Sequence, residues 1–461
     1  MMKRTQLLLA FAMLFQACND DELTTDALTN EELISFESAD EVQSFVTLEW
    51  TDLYLELERF STGRPNAAAR GIAYIYLAAY ETVQPSLEGY QSLDQAYRGL
   101  RIDEDLAENV NYMLALNESY ARVIEHFLLN LDESLQGDIE VLRTQMELYF
   151  STTLSEEEIA SSILWGQHVA EEVIAFSQTD DEAESQVLDP QPLSYEPPVG
   201  DGFWTYSADP ERALYPYWES VRTFVASTKE TTSLAPTAYS EDAGSDYFEQ
   251  MLEVYEVNNA ARVDQEEQLW IAEFWSDDVE GLMMSPPARQ VSIANQLVRQ
   301  ADLSVEESST LLLKLGFALN DAAVSTWKYK YEHMVMRPNV FIHEFIDPDF
   351  QTNLYRLIYW PNPSFPGYPS GHSAFASAAA GVLIDTFGDN TTFTDYTHEG
   401  RTEFLGEPRT WSSLSEMAEE NAFSRIPLGV HIRMDCEEGL RLGYEVADIV
   451  NDELKLTRKG S

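Results

Sequence analysis

Apolar residues recur at helical spacing in stretch after stretch of this chain, strand-type alternation is sparse, and no other feature narrows the fold as far. Helical patterns run over 67–83, 106–129, 131–149, 156–176, 247–257, 265–275, 305–335, 373–387, 414–421 and 438–454. A helix with one apolar stripe has to bury it against another element, so the expectation is an all-α protein made of helical bundles. A helix-rich N-terminal half would support a C-terminal half. The 461 residues, 44% of them hydrophobic, suffice for one large core or two moderate ones. Residues 178–202 are acidic and proline-bearing and read as a linker or long wrapping loop.

The charge balance is unusual: 80 Asp and Glu against 28 Lys and Arg give a formal net charge of -52. Nucleic acid and anionic membrane surfaces are therefore poor partners. A carboxylate-coated surface keeps the chain hydrated in salty water. Any anion site must gather its own basic residues against this background, which makes clustered Arg and Lys informative.

Lys3 and Arg4, an apolar run over 7–15 and then Ala17-Cys18 read as a secretory signal, since the run is too short to span a bilayer. The Cys directly after a small residue, followed by Asn19, Asp20, Asp21 and Glu22, resembles a surface lipoprotein with an acidic tether. Cys18 would then be the lipid anchor and Cys436 would have no partner, so no disulfide framework is expected. The chain is expected to be exported, as a lipoprotein at the outer membrane or cell surface, or else as a periplasmic or secreted protein. No internal apolar run reaches bilayer length. The segmentation that follows is a signal over 1–18, an acidic tether over 19–40, an N-terminal helical region and linker over 41–203, and a C-terminal helical catalytic region over 204–461.

Three short segments of the C-terminal half belong together. In "KYKYEHMVMRP", Lys330 and Arg337 are seven residues apart, about two helical turns, which places both cationic heads on one face before Pro338 ends the helix. In "PGYPSGHSAFASAAAGVLID", Pro369-Ser370-Gly371-His372 supplies a hydroxyl, a backbone that a ligand can approach closely, and an imidazole, and it opens directly into a helix of small residues. In "SRIPLGVHIRMD", Arg425 adds a guanidinium, and the spacing of His431 and Asp435 lets the carboxylate hold the second imidazole nitrogen. A net acidic chain has little other reason to gather these cations, and the set reads as an oxyanion cradle.

The pattern K-x6-R-P, P-S-G-H and S-R-x5-H-x3-D resembles the vanadium-dependent haloperoxidases and their relatives, the class A acid phosphatases and type 2 phosphatidic acid phosphatases. "RPNAAARGIAYIYLAAYETV" from Arg64, "GFWTYSADPERALYPYWESVRTF" from Gly202 and "IAEFWSDD" from Ile271 look like segments of the bacterial haloperoxidases, so the likeness covers roughly 48–448. It implies two four-helix-bundle-like halves and one vanadate per subunit. Lys330, Arg337, Ser370, Arg425 and the Gly371 amide would bind the equatorial oxygens. His431 would be the single protein ligand to the metal, with Asp435 fixing its tautomer, and His372 would act as general acid and base. Lys330 would in addition polarise the bound peroxide. Hydrogen peroxide and a halide would be the substrates, and an organic acceptor would take the halogen.

A phosphatase would use the same residues with His431 as nucleophile. A non-catalytic oxyanion-binding lipoprotein is a third reading. Trp327, one helical turn before Lys330, stands where haloperoxidases commonly have Trp, and Phe365, seven residues before His372, stands at a position that in them lines the halide path, where Phe resembles chloroperoxidases; both could equally be core packing. Ser373, where chloro- and bromoperoxidases usually have Ala, resembles marine bacterial iodoperoxidases, so iodide is expected first and bromide second. Gly367 stands where many bacterial relatives have Glu. Glu273, Asp277 and Asp321 are candidate carboxylates behind His372 or Arg337, or equally capping or surface groups. His343 and Asp347 have metal-compatible spacing but no evident third ligand, and are read as structural.

Overall fold

The computed structural model describes residues 44–206, 212–277, 279–356 and 362–457, with the backbone alone at 355 and 356. The expected signal segment, the acidic tether and Cys18 lie outside these residues. A first bundle is built from α1 (Phe45–Glu58), α2 (Asn66–Val83), α3 (Tyr112–Phe127), α4 (Glu133–Ser151) and α5 (Glu156–Ser177). Their starts follow from sequence. The Asn111 side chain accepts from the amides of Met113 and Leu114, and Ser155 with Glu158 forms a reciprocal capping box. Helix α2, buried along nearly its whole length, packs on α3 and α5 and also on α10 of the second bundle. At that crossing a Cβ on Gly316 of α10 would stand 3.0 Å from the Ala73 Cα, so glycine permits the approach.

The second bundle contains α9 (Pro286–Ala301), α10 (Val305–His333), α12 (Gly371–Phe387) and α15 (Arg433–Glu453), flanked by α13 (Leu414–Phe423). The two-bundle, all-α expectation therefore holds. Between these, α6 (Asp181–Leu188), α7 (Asp246–Val263), α8 (Glu266–Phe274), α11 (Pro338–Phe345) and the short α14 (Arg425–Leu428) pack on the bundles or on one another. The one sheet among the described residues is an antiparallel ribbon, β1 (Phe393–Asp395) with β2 (Arg409–Trp411), Phe393 opposite Trp411. Helix α6 falls inside the stretch expected to be a loop: Asp180 caps it by accepting from the Ala183 amide, and acidic residues fill its first turn.

Two features position the site. The first corrects the sequence reading of Lys330 and Arg337. Helix α10 ends at His333, where Met334 takes a left-handed conformation with φ 52° and donates its amide to the Lys330 carbonyl. Pro338 begins α11 at its first turn instead of ending a helix, and Arg337 before it is extended. The two cations therefore do not share a helix face; a turn in the chain brings them together. The second is the contact of α12 with α15. A Cβ on Gly439 would meet the Ser370 carbonyl, and one on Gly443 would meet Ser377 Oγ, so the small residues of α12 allow a close helix crossing.

Candidate active site

Segments far apart in sequence meet at the N-terminal end of α12. Lys330 comes from the last turn of α10, Arg337 from the turn before α11, Arg425 from the start of α14 and His431 from the loop entering α15. All three cations and Ser370 are fully buried, and His372 and His431 nearly so.

The three N–H donors of Lys330 go to the carbonyls of Pro366 and Gly367, each at 3.0 Å, and Pro369 at 2.5 Å. Its ammonium thus clamps the loop leading into Ser370 while contributing positive charge. It lies 5.0 Å from the Phe365 ring centroid and 5.6 Å from that of Trp327. Burial holds its pKa well below the usual lysine value, Arg337 adds to this, and Asp435 opposes it.

Arg337 donates from Nε to the Phe365 carbonyl at 2.9 Å and from Nη1 to the Val430 carbonyl at 2.8 Å, and Nη1 is 3.0 Å from His431 Nε2. A guanidinium can only donate, so His431 Nε2 offers a lone pair and the neutral ring carries its proton on Nδ1. That proton faces Asp435 Oδ2 at 2.9 Å, and the same oxygen accepts from the Ile432 amide at 3.2 Å. The spacing of four residues works here through a helix-start turn, because α15 begins only at Arg433. Burial first, and then Arg337, Lys330, Arg425 and His372, push the His431 pKa well below its ordinary value.

Arg425 Nη1 donates to the carbonyls of Trp275 and Ser276, both at 3.1 Å, and the Ser276 carbonyl also lies 3.2 Å from His372 Nε2. The carbonyl can only accept, so His372 carries a proton on Nε2 and, when neutral, its lone pair on Nδ1. Ser370 Oγ caps α12, accepting from the Ser373 amide at 3.4 Å, while the Ser370 amide donates to the Asp435 carbonyl at 2.8 Å. Gly371 lies against Trp327: a Cβ there would be 3.1 Å from the indole. Gly367 has Asp435 Oδ2 3.2 Å from its notional Cβ, so a longer side chain would press on the carboxylate that holds His431.

A cavity of about 330 Å³ opens over this end of the helix, with Gly371, His372, His431, Trp327 and Phe365 in its wall. The Trp327 and Phe365 rings are 4.9 Å apart. Ser373 is buried with its Cβ 2.7 Å from the position a Gly439 Cβ would take, and it is not in the cavity wall. Ser373 could thus act on the cavity only through the packing of α12 on α15. Asp321 lies elsewhere, accepting from the amides of Phe224 and Val225 at 2.9 Å each. Glu273 is buried in α8, Asp277 is in the cavity wall, and His343 donates from Nε2 to the Phe350 carbonyl at 2.5 Å, a structural contact.

Sequence reasoning missed the support behind His372. Arg289 is fully buried, 3.0 Å from Asp395 Oδ2 and 2.6 Å from His398 Nε2, with its guanidinium 4.5 Å and 4.8 Å from the Phe274 and Trp275 rings. It fixes the chain just before the Ser276 carbonyl. Backbone carbonyls leave no mark in a sequence, and Arg289 sits apart from the recognisable motifs.

The donor set fits a tetrahedral oxyanion such as vanadate. Four cationic or titratable nitrogen groups bear on His431 in the same sense, and among the described residues the carboxylate in direct contact with it is Asp435. Buried positive charge of this kind calls for a compensating anion. The lone pair on His431 Nε2 is the atom a metal centre would take.

A family model, the VCPO second helical-bundle domain, matches residues 310–460, which contain the whole K…P-S-G-H…R…H set. The vanadium chloroperoxidase of Curvularia inaequalis is 26% identical over 214 residues, 35% of each chain. The match thus spans about a third of that curated relative's length. Among solved structures, the first bacterial vanadium-dependent iodoperoxidase superposes with a TM-score of 0.80 at 25% identity, covering 91% of this chain and 99% of that one. A holo-type bacterial vanadium-dependent chloroperoxidase gives 0.61 at 15% identity over 94% and 98%, a likeness of fold. Over residues 310–460 the chain thus matches that second helical-bundle domain, and with its two bundles and buried cradle it is similar to the vanadium-dependent haloperoxidases.

Proposed function

We propose that the protein is a haloperoxidase that holds one vanadate and uses hydrogen peroxide to oxidise a halide, iodide first and bromide second, for transfer to an organic acceptor. The observation that carries this reading is His431: its Nε2 lone pair is presented beside Arg337 in a buried positive cradle, and Asp435 fixes the tautomer. Arg337, Arg425, Ser370 and the Gly371 amide would hold the oxygens. Bound vanadate would supply a Lewis acid that activates hydrogen peroxide toward attack by halide. His372, oriented by the Ser276 carbonyl at Nε2, would take up the peroxide proton on Nδ1 and return it to the departing oxygen. Lys330 would stabilise developing negative charge from within its carbonyl clamp. Iodide draws its support from the likeness to the iodoperoxidase and from Ser373. Export, with an anchor at Cys18, is proposed from the N-terminal sequence alone.

The test is reconstitution of the purified protein with vanadate, followed by triiodide formation and bromination assays with peroxide. Turnover with iodide above bromide is expected. Hydrolysis of p-nitrophenyl phosphate that vanadate abolishes, without halide oxidation, would replace this reading with the phosphatase in which His431 is the nucleophile. Vanadate binding with neither activity would leave an anion-binding protein. His431→Ala should lose vanadate; His372→Ala should keep it and lose most turnover.

A further inference from the structure

The cavity over His372 has a cation in its wall that the cradle does not use. Arg64 precedes Pro65 at the start of α2, and its side chain is 10% exposed. Nη2 donates to the Asp277 carbonyl at 3.1 Å, and Nε lies 3.5 Å from Glu58 Oε1, which is not in the cavity wall. Nη1 is buried and finds no hydrogen-bond acceptor among the described residues. A buried guanidinium N–H without an acceptor is uncommon, because it loses its water without replacement. Around it the wall is largely apolar, with Pro65, Pro190, Leu214 and Phe365 among its residues. Asp277 and Glu280 also stand there; Arg289 lies 4.0 Å from Asp277, and Glu280 is exposed. These acids disfavour a polyanion, while one guanidinium in an apolar wall suits a compact monoanion with an apolar body.

We propose that this vestibule binds the organic acceptor itself, as a small aromatic monoanion whose acid group is taken by Arg64 and whose ring lies over His372. The cavity of about 330 Å³ includes the His431 end that vanadate would fill and is near the lower limit of small-molecule sites, so the space left beside Arg64 suits no more than a single-ring acid. The word acceptor rests on the haloperoxidase reading; the binding does not.

The experiment is calorimetric titration of 4-hydroxybenzoate and of its neutral counterpart 4-hydroxybenzamide, with vanadate present to fill the cradle and with neither peroxide nor halide. A charge-assisted hydrogen bond should make the acid bind roughly ten- to a hundredfold tighter than the amide. Arg64→Gln should remove that preference and Arg64→Lys retain part of it. Equal affinity of acid and amide for the unmodified protein, a comparison that needs no variant, would overturn the proposal. So would an unchanged preference in Arg64→Gln, which would place the anion elsewhere. Should iodide oxidation be absent while the Arg64-dependent preference persists, the haloperoxidase reading fails and the binding site stands.

Discussion

Replacing Gly439 by alanine tests whether the crossing of α12 and α15 sets the geometry of the cradle. The new Cβ would sit 2.7 Å from Ser373 Cβ and would also meet the Ser370 carbonyl. Carbon atoms prefer roughly 3.5–4.0 Å, so the helices must separate by about 1 Å at that level. The atoms in the way are backbone and Cβ, which no side-chain rotation can clear. The displaced segment carries Ser370, Gly371 and His372. Overpacking of this kind destabilises by about 1–3 kcal/mol, and a misplacement of about 1 Å at reacting groups can lower the rate about a hundredfold. Gly443→Ala is the comparator. Its Cβ meets Ser377 Oγ and the Ala374 carbonyl one turn further along, so a similar fall in melting temperature should accompany a much smaller loss of turnover. Thermal melts, vanadate titration and kcat/KM for triiodide formation read all three quantities. Wild-type kcat/KM in Gly439→Ala, with a melt lowered as in Gly443→Ala, would refute the idea that this contact holds the turn.

Other substitutions probe separate parts of the site. Asp435→Asn keeps the shape but removes the charge that holds His431 Nδ1–H, and vanadate affinity should fall about ten- to a hundredfold in a reconstitution titration. Lys330→Met strips the donors from the carbonyls of Pro366, Gly367 and Pro369; stability should drop by about 3 kcal/mol in chemical denaturation, and vanadate binding should be lost. Asp321 gives a pH dependence independent of the site. Burial raises its pKa from 3.8 to about 6, so the folded chain binds the proton more tightly than the unfolded one. Its contribution is full below pH 3.8 and lost as the pH rises through about 6. The expected loss is about 3 kcal/mol. Asp321→Asn should remove that change from unfolding free energies measured between pH 4 and pH 7.

The all-α class was legible because most helices carry an apolar stripe, and the cradle because three motifs stand out in a chain of net charge -52. Helix α9 was not legible: Arg289, Gln290, Ser292 and Asn295 are buried among its apolar residues, so polar side chains interrupt the apolar stripe. The convergence of Lys330 and Arg337 was legible, but its cause was not. Spacing by seven imitates a helix face, while the turn depends on Met334 adopting a left-handed conformation that no glycine or asparagine signals. The Pro-Ser-Gly-His turn that opens α12 pointed toward an anion at the helix start, and the structure adds a reason for the small residues that follow it in the glycines of α15 that sit under them. The Ser276 carbonyl could not be read at all, since every residue has one.

That carbonyl leads to a further expectation about Arg289. It stacks on Phe274 and Trp275 and pairs with Asp395, so it holds the chain immediately before the atom that orients His372 and Arg425. It touches neither group, and its effect on catalysis would be through position alone. Arg289→Met leaves Asp395 buried without this partner, which by itself destabilises by about 3–5 kcal/mol, so a lowered melt proves nothing about His372. Arg289→Lys keeps the charge near Asp395 but gives up the planar stack on the two rings. If the stack aims the Ser276 carbonyl, the lysine variant should recover most of the stability yet still show a reduced kcat, with KM for iodide near the wild-type value because the cavity is unchanged. Full recovery of kcat together with stability would show that Arg289 only neutralises Asp395, and that the aim of the carbonyl is set by the chain on its other side.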